Sequence, residues 1–376
     1  MSNPPSSGPG AASDSMSASA SASGSASDSM SAADSASDSG SGAVSAATAA
    51  TASPWAASAS ASASASASAS ASASASVSAS TSTGPASLST DTTPTPIRPG
   101  LYAFTLPATW NFAMPSGGVL MTCALRAAAA ELADPVLHLT SATTIFCTPL
   151  PPGPLEATVT VLRHGVAASQ VRVALRPPPG TADDTTGLEL LATFCRDRTG
   201  PDLVGASPPD VPGPDDSPSV LDDHPHNPHG RIPFFRHFDC RIARGERLWI
   251  PGWQAGPPRQ ARWFRYLVPQ RDAAGRLDRF ALPPIADTMP GALVQGLGPS
   301  GYRFYAPSLD LTLHVVDDTD REWLLVSTYA RRARAGWAIG EAEIWDDRGR
   351  LIAYATQSMY VKNLAGTPPV VDASKR

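Results

Sequence analysis

No run of 18 or more apolar residues occurs in this 376-residue chain, and its N-terminus has neither the basic stretch nor the apolar segment of a secretory leader. Those absences exclude a membrane-spanning helix and give the expectation of a soluble, cytoplasmic protein. A basic excess is lacking as well. The first 95 residues carry Asp14, Asp28, Asp34, Asp38 and Asp91 with no Lys or Arg, so five acids account for the net charge of −5 and leave 28 acidic against 28 basic residues. Such a balance speaks against non-specific nucleic-acid binding, which needs a dominant positive field. Cysteines are few (Cys123, Cys147, Cys195 and Cys240), and none forms a Cys-x-x-Cys pair. They read as reduced core or surface thiols. The folded part has no Gly-x-Ser-x-Gly nucleophile elbow, which disfavours a serine hydrolase.

What is present falls into segments. Residues 56–80 are almost wholly alternating Ser and Ala, without the large apolar side chains that offset the entropy of ordering. Residues 1–96 are therefore expected to be a disordered tail, and 365–376 a second, short one. About 280 residues remain, enough for two domains. Residues 198–233, dense in Pro, Asp and Gly, read as a linker between a unit at 97–197 and a unit at 234–364. Its His224, His226 and His229 would bind a metal only if the linker folded around the ion, and no metal is expected there.

Both units read as strand, helix, then antiparallel strands. In the first, Tyr102 to Met114 is an edge strand and loop, and Ser116-Gly117-Gly118 leads into VLMTCALRAAAAELAD, a run of strong helix formers apolar almost all round. Strands follow in LHLTSATTIFCTPL, in a hairpin turning at His164-Gly165, and in TGLELLATFCR. In the second, strands at FFRHFDCRI and ARWFRYLV precede PPIADTMPGALVQGLG, where Asp287 and Thr288 before Pro290 form a helix-start signature. Alternating strands then run from Tyr302 to Asn363 and turn at Asp346-Asp347-Arg348-Gly349. On the last strand Leu351, Ala353, Ala355, Gln357, Met359 and Val361 share one face, so Gln357 is a lone amide in an apolar row and needs a specific partner.

This order resembles the hotdog fold, and its tandem form resembles the double-hotdog acyl-CoA thioesterases of type II. The residues that carry the resemblance are SGGVLMTCALRAA, TSATTIFCTPLPPGPLEATVTVLRHGVAASQVRVAL and LELLATF in the first unit, then IADTMPG, SLDLTLHV, REWLLVSTYA and the run from Gly349 to Ser358 in the second. The resemblance implies an α+β double hotdog in which two antiparallel sheets each wrap a central helix. It also implies hydrolysis of acyl-CoA to a free acid and coenzyme A, with no metal or other cofactor. In the family an Asp, a Ser or Thr and a Gln activate a water, and by position these fall on Asp287, Ser308 and Gln357. Asp287 would be the general base at a helix N-terminus, with Ser308 and Gln357 orienting the water and backbone N–H groups near Met289 to Gly291 receiving the oxyanion. The first unit offers Ser116 and two glycines where a carboxylate would be needed, so one site per chain is expected.

Two points bear on that site. Leu311 follows Asp310 where the family commonly has His, and Leu309, Leu311, Leu313 and Val315 form an apolar face that sends Ser308 to the opposite side unless the strand starts after it or is bulged. Substrate contacts are expected from Met289, Gly291, Leu293 and Met359, with Met121 from the first unit. Arg332 and Arg334 share a strand face near Arg331 and could bind coenzyme A phosphates, although a solvated face is the simpler reading. A homodimer is the expected assembly, with acyl-CoA the partner and neither nucleic acid nor membrane involved. The rival from another class is a non-catalytic hotdog module that binds acyl chains or a protein. An enoyl-thioester hydratase would need a histidine at a helix start, where none stands.

Overall fold

The Ala-rich run after Ser116 forms a helix over Gly117–Leu132 with Val119, Met121, Leu125 and Ala128 inaccessible to solvent. It is buried on nearly every side because a sheet wraps it. In this computed structural model, residues 85–180, 186–299 and 304–363 are described. Ahead of the helix, which we label α2, come α1 (Leu88–Asp91), β1 (Thr95–Arg98) and β2 (Leu101–Leu106). After it come β3 (His138–Phe146), β4 (Gly153–His164), β5 (Ala168–Arg176) and β6 (Leu188–Cys195). The second half contributes β7 (Phe238–Arg244), β8 (Arg259–Tyr266), α3 (Leu282–Ala286), α4 (Pro290–Leu297), β9 (Phe304–Tyr305), β10 (Asp310–Val315), β11 (Leu324–Arg334), β12 (Trp337–Asp346), β13 (Leu351–Tyr360) and β14 (Lys362–Asn363).

Twelve of these strands make one antiparallel sheet in the order β1-β2-β4-β5-β6-β3-β10-β13-β12-β11-β8-β7. Read outward from its middle, β3-β6-β5-β4-β2-β1 repeats as β10-β13-β12-β11-β8-β7, which is the tandem repeat expected from sequence. The repeats join edge to edge where β3 pairs with β10, Ala142 opposite Leu313. Each hotdog sheet thereby covers an edge that would otherwise stay unpaired. One apolar core runs through both halves, from Leu106 and Leu125 to Ile285, Leu313 and Ile344.

The second helix departs from expectation. It is broken into α3 and α4, because Pro283 and Pro284 start one short turn and Pro290, with no N–H to donate backwards, starts another. Asp287 lies in the break, at the C-terminal cap of α3, while Met289 occupies the position before α4. Asp287 is therefore not the N-cap of α4, and the Thr288 hydroxyl instead donates back to the Ile285 carbonyl at 2.8 Å.

The expected tail is also shorter on its described side. Residues 1–84 lie outside the described residues, but residues 85–96 pack: Leu88 is fully buried, the Ser89 N–H donates to Gln270 at 2.9 Å, and β1 pairs with β2. The expected linker has little regular structure, yet its end is tied down, since Val220 is fully buried and its N–H donates to the Cys240 carbonyl at 2.7 Å. An apolar side chain with a backbone partner overrides a Pro-rich composition. The expected tail at 365–376 lies outside the described residues.

Candidate active site

Gln357 sits on the helix-facing side of β13, between buried Ala355 and Met359 and opposite Gly340 of β12. Gly340 leaves room above it: a Cβ there would lie 3.1 Å from the Met289 Cβ and 3.2 Å from the Met359 methyl. Met289 therefore settles close to the sheet, and Asp287 stands two residues before it. The amide Nε2 of Gln357 donates to Asp287 Oδ1 at 2.5 Å and to Ser308 Oγ at 2.7 Å. Ser308 Oγ in turn donates to Asp287 Oδ1 at 3.1 Å. The set is self-consistent only with the amide nitrogen toward the carboxylate, because a flipped amide would put two acceptors face to face.

Ser308 reaches this face through both of the irregularities that sequence allowed. The regular strand starts at Asp310, after it. Thr312 is opposite Thr356 while Ser308 is opposite Met359, four residues on one side against three on the other, so one extra residue is inserted. A one-residue bulge reverses facing, which turns Ser308 inward beside Leu311 and Leu313. The Asp310 carboxylate secures the bulge by accepting the Ser358 N–H at 2.8 Å. Asp310 thus has a positioning part that needs no histidine after it.

The other carboxylate oxygen of Asp287 is held by the first half. Oδ2 accepts the Gly118 N–H at 3.0 Å and the Ser116 hydroxyl at 3.2 Å. The carboxylate is therefore at a helix N-terminus, as expected, but that of α2 rather than α4. The two glycines that open α2 are what permit the approach. A Cβ at Gly118 would be 2.2 Å from the Pro283 carbonyl oxygen, and one at Gly117 would be 2.7 Å from the Phe146 ring and 3.2 Å from Asp287 Oδ2. The repeat logic thus had a consequence that sequence reading missed. The first unit's lack of a carboxylate at 116–118 makes the space and the donors for the carboxylate of the second.

Asp287 is 8 % exposed, and its burial raises its pKa above the ordinary value of 3.8 despite the hydrogen bonds from Gly118, Gln357, Ser308 and Ser116, which act in the opposite direction. Desolvation dominates, so the group is a stronger base than an exposed aspartate while remaining well supplied with donors. Gln357 Oε1 is buried and has no hydrogen-bond partner among the described residues. An amide locked by its nitrogen leaves that acceptor beside the carboxylate, where it suits an O–H donor.

The remaining expected residues divide. Met289, Leu293 and Met359 are buried; Leu293 and Met359 share a cluster with Ala292, Ala330 and Ala338, and Met121 belongs to the main core. Gly291 sits over Gln260, whose Oε1 would be 2.3 Å from a Cβ there. As an oxyanion donor Gly291 is compromised, because its N–H already points at the Thr288 carbonyl at 3.4 Å and Pro290 has none. The Gly117 N–H, first in α2 and without an acceptor inside the helix, is the better placed group, and only the glycine pair hinted at it. Arg332 and Arg334 are exposed opposite Ile339 and Trp337 and share their outward face, whereas Gln357 is opposite Gly340 on the other face. They stand across the sheet from the carboxylate, and their neighbour Arg331 is paired with Glu341.

Two sequence profiles match the chain, the acyl-CoA thioesterase N-terminal domain over residues 106–195 and the acyl-CoA thioesterase C-terminal domain over residues 209–361. No curated protein matches. Among solved structures, a putative thioesterase from Novosphingobium aromaticivorans is 26 % identical, covering 72 % of this chain and 98 % of its own with a TM-score of 0.57. A hot dog fold protein from Alicyclobacillus acidocaldarius is 21 % identical over 73 % and 97 % of the two chains, with a TM-score of 0.60. The acyl-CoA thioesterase II TesB2 of Mycobacterium marinum is also 21 % identical, over 74 % and 100 %, with a TM-score of 0.58. These likenesses carry the fold, and the two profiles together, in their N-terminal-to-C-terminal order, carry the family: the chain belongs to the acyl-CoA thioesterases, as a double-hotdog thioester hydrolase.

Proposed function

We propose that Asp287 is the general base of this hydrolase and that Gln357 and Ser308 fix its position and that of the attacking water. The observation that carries the reading is the arrangement around Asp287: four donors from both halves converge on one buried carboxylate beside the unpartnered Gln357 Oε1. A water that donates one hydrogen to Asp287 and the other to Gln357 Oε1 has its lone pair fixed for attack on the thioester carbon. As the C–O bond forms, the proton passes to Asp287. The carbonyl oxygen gains charge, which the Gly117 N–H and the positive end of α2 would offset. Collapse of the tetrahedral adduct expels the coenzyme A thiolate and leaves the acid. The carboxylate's hydrogen bonds are made before substrate arrives, so little reorganisation is needed during reaction.

The acyl chain would lie against Met289, Leu293 and Met359, with methionines supplying the flexibility to admit it and Met121 closing the first-half side. Gly291 would form part of that wall by its lack of a side chain. A role for Arg332 and Arg334 in holding coenzyme A phosphates is disfavoured by their outward facing. They flank exposed Trp337 and Ile339, a mixed surface that supports pairing of two copies, which sedimentation would test. Four unpaired cysteines suit a cytoplasmic setting. The domain limits that follow are a first hotdog ending near residue 197 and a second beginning near residue 218, where Pro218 to Val220 join β7.

The test is thiol release from acetyl- to palmitoyl-CoA by the wild type, Asp287→Asn, Gln357→Ala and Leu293→Trp. Asparagine should be tolerated structurally, since Gln357 can flip its amide to accept from the new Nδ2. Turnover should collapse in the first two variants while the fold survives, and Leu293→Trp should lose long chains before short ones. Full turnover in Asp287→Asn would move the site elsewhere. Binding of acyl-CoA without any release would favour a binding module.

A further inference from the structure

A second feature of the helix-facing surface is not used by that chemistry. Arg262 lies on β8, opposite buried Ile242 of β7 and buried Val326 of β11, with its side chain turned toward the helices. It is 9 % exposed, and among the described residues it has neither a hydrogen-bond nor an ion-pair partner. Other half-buried arginines here do have partners: Arg126 is paired with Asp278, and Arg279 with Asp318 at 2.7 Å. The Arg262 nitrogens keep a narrow contact with solvent, and a guanidinium otherwise withdrawn from water gains from an anion that meets it.

The groups around Arg262 provide no anion. His229 is held neutral by burial and then by the charge of Arg262 itself, with its pKa lowered to about 3. The Cys240 thiol is pushed up to about 12 by burial, against the opposing pull of Arg262, so it stays protonated. Gln260, two residues earlier on the same face and 4 % exposed, also has no side-chain hydrogen bond among the described residues. Overhead, the first turn of α4 presents Gly291, where a Cβ would be 3.8 Å from Arg262 Nη2 and 2.3 Å from Gln260 Oε1. Two unpartnered buried polar side chains therefore converge beneath a glycine at the positive end of a helix. That helix begins three residues after Asp287, directly after Met289 of the acyl wall.

We propose that Arg262, with Gln260, receives a carboxylate at the far end of the acyl chain, so that this hydrolase acts on acyl-CoAs whose chain ends in an acid. The inference rests on the reading of Asp287 as the base, which places the thioester at the start of α2, beside the break between α3 and α4. A carboxylate offers two oxygens to the guanidinium fork, and Gln260, whose amide oxygen lies beneath Gly291, donates to it once the amide turns over to present Nε2. The phosphate-bearing end of coenzyme A is too bulky and too hydrated for a position nine-tenths buried on the helix-facing side. A terminal carboxylate is small enough to arrive there at the end of a flexible chain, with the Met289 side chain moving aside.

The test compares adipyl- with hexanoyl-CoA and suberyl- with octanoyl-CoA, on the full chain and on Arg262→Met and Arg262→Lys. Wild type should prefer the acid-ended member of each pair. Arg262→Met should lower kcat/KM for it by about tenfold or more, the scale of a lost charge-assisted hydrogen bond, and leave the methyl-ended member near its wild-type value. Arg262→Lys should fall between. Because the charge has no protein partner, the Arg262→Met Tm should match or exceed that of wild type. Parallel losses on both members, with a lower Tm, would make Arg262 structural and overturn the proposal, as would a wild type that prefers the methyl-ended chains. Should wild type release no thiol from any substrate, the hydrolase reading fails; calorimetric binding of adipyl- against hexanoyl-CoA, to wild type and Arg262→Met, then decides the Arg262 site separately, and equal binding sinks it.

Discussion

Replacing Gly118 by Ala tests the junction on which the site is built. The new methyl would sit 2.2 Å from the Pro283 carbonyl oxygen, 2.5 Å from its carbon and 2.6 Å from the Pro284 Cα. All three are backbone atoms, so no rotamer relieves the contact, and the start of α2 must move away from α3. Overpacking of this kind costs about 1–3 kcal/mol. Separation also weakens the bond from the Gly118 N–H to the Asp287 carboxylate, which adds about 1.5–3 kcal/mol as a hydrogen bond to a charged group. Alanine's higher helix propensity returns about 1 kcal/mol. The net expectation is about 2–5 kcal/mol of destabilisation, together with loss of turnover in whatever fraction stays folded. Urea unfolding gives the first quantity and thiol release the second. Gly291→Ala is the control: its contact, 2.3 Å from Gln260 Oε1, is with the end of a flexible side chain, so its stability change should stay within about 1 kcal/mol. Wild-type stability and turnover in Gly118→Ala would refute the claim that α2 and α3 meet through this glycine.

Three further predictions concern pH. Asp287 must be ionised to act as base and its pKa is raised by burial, so the acid limb of kcat/KM should lie above the ordinary 3.8, at a pH where exposed carboxylates are already ionised. A raised carboxylate pKa stabilises the fold below 3.8 relative to higher pH, so the Tm of Asp287→Asn minus that of wild type should grow as pH rises above 3.8; a flat difference would deny the desolvation. His229 has the opposite sense. It stays neutral in the fold down to about 3 but takes a proton at 6.5 when unfolded, so wild type should lose stability as pH falls from 6.5, and His229→Gln should lose less over the same range. Equal slopes in urea titrations would contradict its burial.

The alternation of apolar residues made most strands legible, and the run after Ser116 made α2 legible, because period and composition agree there with burial. The Asp287–Gln357 pairing was legible in part. A single amide in the apolar row of β13 demands a partner, and the family order supplies one. What sequence could not show was which helix Asp287 caps, since prolines at 283, 284 and 290 break the second helix and turn the carboxylate toward the first half. Nor could it choose between the ways Ser308 might face inward, because a bulge is a property of pairing and not of one strand. Asp310, with its hold on the Ser358 N–H, was the available hint. Residues 85–96 were misjudged because their Ser and Thr content hid one buried leucine and a strand that pairs at the sheet edge. Arg262 carried no signal at all, since an arginine in a strand is ordinarily exposed and only the fold reveals it unpaired.

The central claim is that Asp287 activates water and does not itself attack the thioester. A single turnover with enzyme in excess over acyl-CoA, run in water labelled with oxygen-18, tests this, because an adduct on Asp287 that water opens at the aspartyl carbonyl leaves the label in Asp287. Activation of water predicts that the first equivalent of released acid carries the label and that Asp287 carries none. Unlabelled acid in that first turnover, with the label appearing in the Asp287 carboxylate once the adduct is hydrolysed, would show an acyl-enzyme and contradict the account.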